Sequence, residues 1–137
     1  MAFDERGQKR ILVVSGDGFA CQLIQKILAK RFDFEMTRTD CCGDAVAEAL
    51  TGKYIGAIID LVLPSSSARK LIKTIKTMLP GLPIMIMTSD SSDEALKLIR
   101  NLGILNIIPK PFKMHALIEG IISLTGAGQA ASSRTQA

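Results

Sequence analysis

Five times along this chain a short apolar run of β character gives way to a longer segment of helical period, a pattern that few folds can accommodate. The runs are Arg10 to Val14, Phe34 to Thr39, Ala57 to Leu61, Ile84 to Thr88 and Asn106 to Ile108. The first, third and fourth are almost continuously hydrophobic, as strands buried on both faces must be. Strand and helix in strict alternation predict βα units around one parallel sheet. At 137 residues and 47% hydrophobic content, the chain is sized for one such core.

The helical segments each carry one apolar stripe. Phe19, Leu23, Ile24, Ile27 and Leu28 mark the first, and Val46, Ala49 and Leu50 the second. Leu71, Ile72, Ile75 and Met78 mark the third, which must stop before Pro80 and Gly81. The fourth opens on Ser91 as N-cap with Glu94 three residues on, a capping box, and turns Leu98, Ile99 and Leu102 inward. The fifth runs from Met114 to Leu124 and buries Leu117, Ile118, Ile121 and Ile122. Residues 1–8 read as an extension, 9–125 as the domain, and the Gly, Ala, Ser and Gln rich stretch 126–137 as a tail or linker.

Composition removes several classes of function. No apolar run approaches the roughly 20 residues that span a bilayer. The charged start from Met1 to Arg10 lacks the apolar centre of a signal peptide, so a cytoplasmic location is expected. Cys21, Cys41 and Cys42 have no metal spacing and read as reduced thiols, with a redox-sensing Cys41 and Cys42 pair as the alternative. A net charge of +4 is a mild excess, and one Tyr without any Trp leaves little to stack on bases, so no nucleic-acid partner is expected. Arg69, Lys73 and Lys76 share one helix face, which a solvated surface or docking to an acidic partner would explain. His115 reads as an exposed side chain, Ser65, Ser66 and Ser67 as a loop, and Gly16 and Gly18 lack the third glycine of a dinucleotide turn.

In an open parallel sheet the ligand site lies at the carboxyl ends of the strands. There the sequence places Ser15, Gly16 and Asp17, then Asp60, then Thr88 and Ser89, and finally Lys110. A carboxylate at the end of the run Ala57, Ile58 and Ile59 is costly unless it meets a cation, a donor or water. Lys110 is its natural partner, Thr88 could donate to an oxyanion, and Ser89 is small enough to leave room for one.

With these residues the chain resembles the receiver domain of bacterial response regulators from Lys9 to about Leu124. The matching segments are I-I-D-L-V-L-P from Ile58 to Pro64, Met87 with Thr88 and Ser89, and I-P-K-P-F from Ile108 to Phe112. The resemblance implies an α/β, flavodoxin-like (βα)5 doubly wound sheet of five parallel strands. It implies that Asp60 accepts a phosphoryl group from a histidine kinase or phosphotransfer protein, with Thr88 and Lys110 as the other catalytic residues. It implies a magnesium ion held by Asp60, the Val62 carbonyl and an acidic residue after the first strand, and a cis bond between Lys110 and Pro111. At most this is self-catalysed phosphoryl transfer, with output to a protein partner through the fourth and fifth helices.

Two departures weaken that expectation. Where the family places two adjacent acidic residues, this chain has Ser15 and Gly16, so magnesium binding is expected to be weak or absent. Asp17 could substitute if its loop folds back, although capping the first helix is the role expected of it. Ile107 stands where the family carries an aromatic residue that turns with the switch hydroxyl. A phosphorylation-independent docking module, a pseudo-receiver, is therefore the alternative reading.

Overall fold

Each of the five apolar runs is a strand, and every neighbouring pair in the sheet is parallel. The computed structural model describes residues 6–40, 42–61 and 66–126. Its strands are β1 (Arg10–Val14), β2 (Glu35–Thr39), β3 (Tyr54–Leu61), β4 (Ile84–Thr88) and β5 (Asn106–Pro109). They alternate with α1 (Gly18–Ile27), α2 (Cys42–Ala49), α3 (Ser66–Met78), α4 (Asp93–Asn101) and α5 (Met114–Thr125). The strand order is β2-β1-β3-β4-β5, so the chain reverses its direction of winding between β1 and β3. That reversal opens a crevice at the carboxyl ends of β1 and β3.

Successive strand residues point to opposite faces, and the two faces carry separate cores. Leu12, Val14, Ala57, Ile59 and Ile86 pack with Ala45, Leu71, Ile72, Ile75 and Ile99. Ile11, Val13, Ile58, Met85 and Met87 pack with Ile24, Ile27, Leu117, Ile121 and Leu124 on the other side. A slip of one residue in any central strand would exchange these sets, which fixes the register and with it the height of Asp60.

The elements depart from the pattern at their ends. β3 starts at Tyr54, earlier than its apolar run, because the Tyr54 ring is buried while its hydroxyl donates to Glu48. Burial first, and then Glu48, push this phenol up to about 12. α1 continues through a π-type turn, Leu28–Phe32, to a left-handed Asp33, and Phe32 stacks on Phe34 with ring centroids 5.4 Å apart. α4 is capped by Ser92 rather than Ser91, with the Ser92 hydroxyl accepting from the Ala95 amide at 3.2 Å. The cause is Asp90, whose carboxylate accepts from the Ser92 amide and holds the chain extended for one more residue. The expected box with Glu94 is therefore not formed.

Four stripe residues turn out exposed: Phe19, Leu50, Met78 and Leu98. Phe19, Leu50 and Met78 lie in a terminal turn or just beyond it, where the helix has run past the sheet. Ile118 and Ile122 are half-buried rather than buried. Ser65 and Cys41 lie outside the described residues, and Cys21 is a buried free thiol. Among the described residues, no helix is long and apolar enough to cross a membrane.

α5 packs tightly on the sheet at Gly120. A Cβ there would stand 2.5 Å from Ile108 Cδ1 and 2.7 Å from Met85 Sδ. Gly120→Ala is expected to destabilise the fold by about 1–3 kcal/mol through overpacking. Gly16→Ala, with open space around it, should cost far less. Urea unfolding of both variants checks this, and equal midpoints would contradict the packing described.

Candidate functional site

The site is assembled by the ends of β1, β3 and β5 and the loop that follows β1. β1 carries its pairing one residue past its end, as the Ser15 amide donates to the Thr39 carbonyl at 2.9 Å. This seats Ser15 as a buried side chain beside Asp60. The Ser15 hydroxyl donates to Asp60 Oδ2 at 2.8 Å and accepts from the Asp17 amide at 3.0 Å. The second bond folds the loop back. Asp17 then uses Oδ1 to cap α1 through the Phe19 and Ala20 amides at 3.1 and 3.2 Å, and Oδ2 to meet Lys110 Nζ at 3.3 Å. The cap expected for Asp17 is present, and the fold-back adds a second contact.

Lys110 is held from the other side. Its amide donates to the Thr88 carbonyl at 2.7 Å, and the Lys110–Pro111 bond is cis, as the family resemblance implied. Its ammonium donates to Asp60 Oδ2 at 2.7 Å. The Asp60 side chain has no solvent-exposed surface, although its backbone is partly exposed. Oδ1 of Asp60 is buried and has no hydrogen-bond partner among the described residues. One ammonium thus serves two carboxylates, and one carboxylate oxygen is left over.

Thr88 does not join this cluster. Its buried hydroxyl donates to the Asp90 carbonyl and accepts from the Asp90 amide, both at 3.0 Å. A hydroxyl on an interior strand must find a partner, and the backbone of the following loop is the nearest. Ser89 is exposed beside it. Val62 lies outside the described residues. Two roles escaped the sequence reading: Ser15 as a donor to Asp60, and the Asp90 backbone as the holder of Thr88. A buried hydroxyl after β1 was the available signal for the first.

The charges follow from the geometry. Asp17 is held below the ordinary carboxylate value, first by the Ala20 amide and next by Lys110. Burial pulls the Lys110 ammonium down, but the hydrogen bond and charge of Asp60, and then those of Asp17, outweigh it and hold it above its ordinary 10.5. No group of three or more His, Cys, Asp and Glu side chains gathers as a metal cage among the described residues. An orphaned, buried Asp60 oxygen with Asp17 nearby still fits magnesium in kind, since this ion commonly takes one or two carboxylates and keeps its waters.

A sequence profile of the response regulator receiver domain matches residues 11–122. The chain belongs to this family. A response regulator receiver protein of Anaeromyxobacter sp. (strain Fw109-5) is 23% identical over 111 residues, 81% of this chain and 46% of that protein. The DNA-binding transcriptional regulator NtrC of Escherichia coli (strain K12) is 35% identical over 85 residues, 59% of this chain and 18% of that protein. The chain therefore spans less than half the length of these curated relatives. A response regulator from Thermotoga maritima shares the fold with a TM-score of 0.77 at 16% identity, over 87% of this chain and 98% of that one. This is a receiver domain of two-component signalling, a family that works with histidine kinases or phosphotransfer proteins and generally binds magnesium.

The stability that the receiver domain draws from Lys110 should be fully present below pH 10.5 and lost as pH rises through the higher folded value. In Asp60→Asn, burial remains while the main attraction goes, so an NMR titration of the Lys110 ammonium should reach its midpoint at lower pH than in the parent. An unchanged midpoint would remove Asp60 as its partner.

Proposed function

We propose that this receiver domain accepts a phosphoryl group on Asp60 from a phosphohistidine of a histidine kinase or phosphotransfer protein. The observation that carries the reading is the pairing of Asp60 Oδ2 with Lys110 at 2.7 Å, which leaves Oδ1 unpartnered. An oxygen without a donor keeps its lone pairs for attack. In this reading Oδ1 forms the new P–O bond as the P–N bond breaks, and the donor imidazole leaves with the electron pair and takes up a proton. Lys110 moves with the charge, from Oδ2 toward the phosphoryl oxygens. The Asp60 carboxylate, Asp17 and the Val62 carbonyl would hold magnesium, which supplies further neutralisation of phosphoryl charge when bound. With Ser15 in place of a carboxylate, that ion is held weakly.

A second reading has its own support. The Asp60 side chain has no exposed surface, and the Thr88 hydroxyl is engaged on both sides by the Asp90 backbone, which favours a pocket closed to a phosphodonor. A pseudo-receiver that docks without phosphotransfer would use this closed state permanently. Either module would work in the cytoplasm and pass its output to a protein through α4 and α5. Leu105 is 84% exposed there, flanked by exposed Arg100 and His115 and by half-buried Ile107.

Incubation with phosphoramidate and millimolar magnesium, read by intact mass, separates the two. The first reading expects one added phosphoryl group in the parent and none in Asp60→Asn. No adduct, together with no NMR response at Asp60 and Lys110 to magnesium and beryllofluoride, establishes the second. Arg100→Ala with Ile107→Ala should reduce partner capture by about tenfold in either case.

A further inference from the structure

Arg69, Lys70 and Lys73 of α3, which meet no carboxylate among the described residues, and an apolar hollow beside them are used by neither reading. Of the lateral helix packings on that face of the sheet, α3 leans chiefly on α2 and not on α4. This leaves a cleft between α3 and α4 above the end of β4. Its floor and walls are Leu61, Ala68, Ile72, Leu98, Ile99 and Leu102, with Arg69 at one edge and Thr88 and Asp90 at another. The hollow is about 30 Å³, room for a methyl or the tip of a branched aliphatic side chain but not for a ring.

The charge on the α3 side is one-signed. α3 carries Arg69, Lys70, Lys73 and Lys76 and no acidic residue. Two contacts orient the stripe formed by Arg69, Lys73 and Lys76. Arg69 lines the cleft, and Lys76 Nζ donates to the Gly103 carbonyl beyond α4 at 3.0 Å. Lys73 lies between them on the same helix face and is exposed. Among the described residues no carboxylate pairs with Arg69, Lys70 or Lys73. Asp90, the acidic member of the lining, keeps its charge while it accepts from the Ser92 amide on the α4 side of the cleft.

We propose that the α3–α4 cleft docks an acidic segment of a protein partner, with a small aliphatic side chain in the hollow and its carboxylates on Arg69 and Lys73. Apolar contact at the centre with basic charge along the α3 rim is the arrangement that selects such a segment. None of Arg100, Leu105, Ile107 and His115 lines this cleft, so its variants differ from those of the α4 and α5 surface.

The test uses the full chain and a synthetic Glu-rich peptide carrying a single Val, followed through methyl NMR shifts of Ile72, Leu98 and Leu102. Saturable shifts are expected at those methyls. Affinity should fall about tenfold or more in Arg69→Ala/Lys73→Ala, which alters exposed side chains only, and again when the peptide Val becomes Ser. Saturable shifts are expected in Asp60→Asn as well, so docking is read independently of the phosphoacceptor reading. The proposal is overturned by an absence of saturable shifts, by shifts indifferent to the Val, which would mean a diffuse counter-ion effect, or by shifts confined to Leu105 and His115. Stronger competition from a single-stranded oligonucleotide for the same methyls would overturn it in favour of nucleic acid.

Discussion

The ion pair between Asp60 and Lys110 is the contact on which the end of the sheet depends. A carboxylate with no exposed surface costs several kcal/mol to bury, and only a close cation with good geometry offsets it. The two residues are 50 apart in the chain, one on β3 and the other just past β5, with β4 between those strands. Their meeting at 2.7 Å requires β3, β4 and β5 to lie side by side in one register. The apolar alternation that fixes that register therefore also places the charge. Nothing local to either residue would do so.

Ser15 changes what this pair has to do. Lys110 already faces two carboxylates, Asp60 and Asp17. A third carboxylate at the position of Ser15 would add repulsion on the order of 4 kcal/mol at contact distance and a screened dielectric, unless a dication entered. A hydroxyl instead donates to Asp60 Oδ2 and costs no charge. Oδ2 of Asp60 is thereby satisfied by protein groups, while Oδ1 is left without a partner among the described residues.

The architecture was legible because a parallel sheet buried on both faces writes itself as continuous apolar runs, and helices write their period between them. Five strands and five helices were found in their places, with Asp60 and Lys110 at the strand ends where the reversal in strand order puts a site. What escaped was set by contacts between loops. Asp90 moved the start of α4 from Ser91 to Ser92 and took the Thr88 hydroxyl away from Asp60, and no periodicity encodes either. The exposure of Phe19 and Met78 was hidden for a related reason: a stripe shows which face of a helix is apolar, not where the sheet beneath it ends. Asp17 was readable as a cap, but its contact with Lys110 depended on the Ser15 hydroxyl folding the loop back.

Thr88 links the two surfaces of the molecule. Its carbonyl holds the Lys110 amide at 2.7 Å, while its side chain lines the cleft between α3 and α4 and grips the loop that starts α4. Any group seated in that cleft packs against the residue that sets the height of Lys110 over Asp60. Thermodynamic linkage then makes the effect mutual: if a change at Asp60 moves Thr88 and alters affinity in the cleft by some factor, occupancy of the cleft alters that change at Asp60 by the same factor. An aromatic residue at the position of Ile107 is not required for coupling of this kind. Such coupling would run through one strand end, Thr88, and the hydrogen bonds that it makes to Lys110 and Asp90.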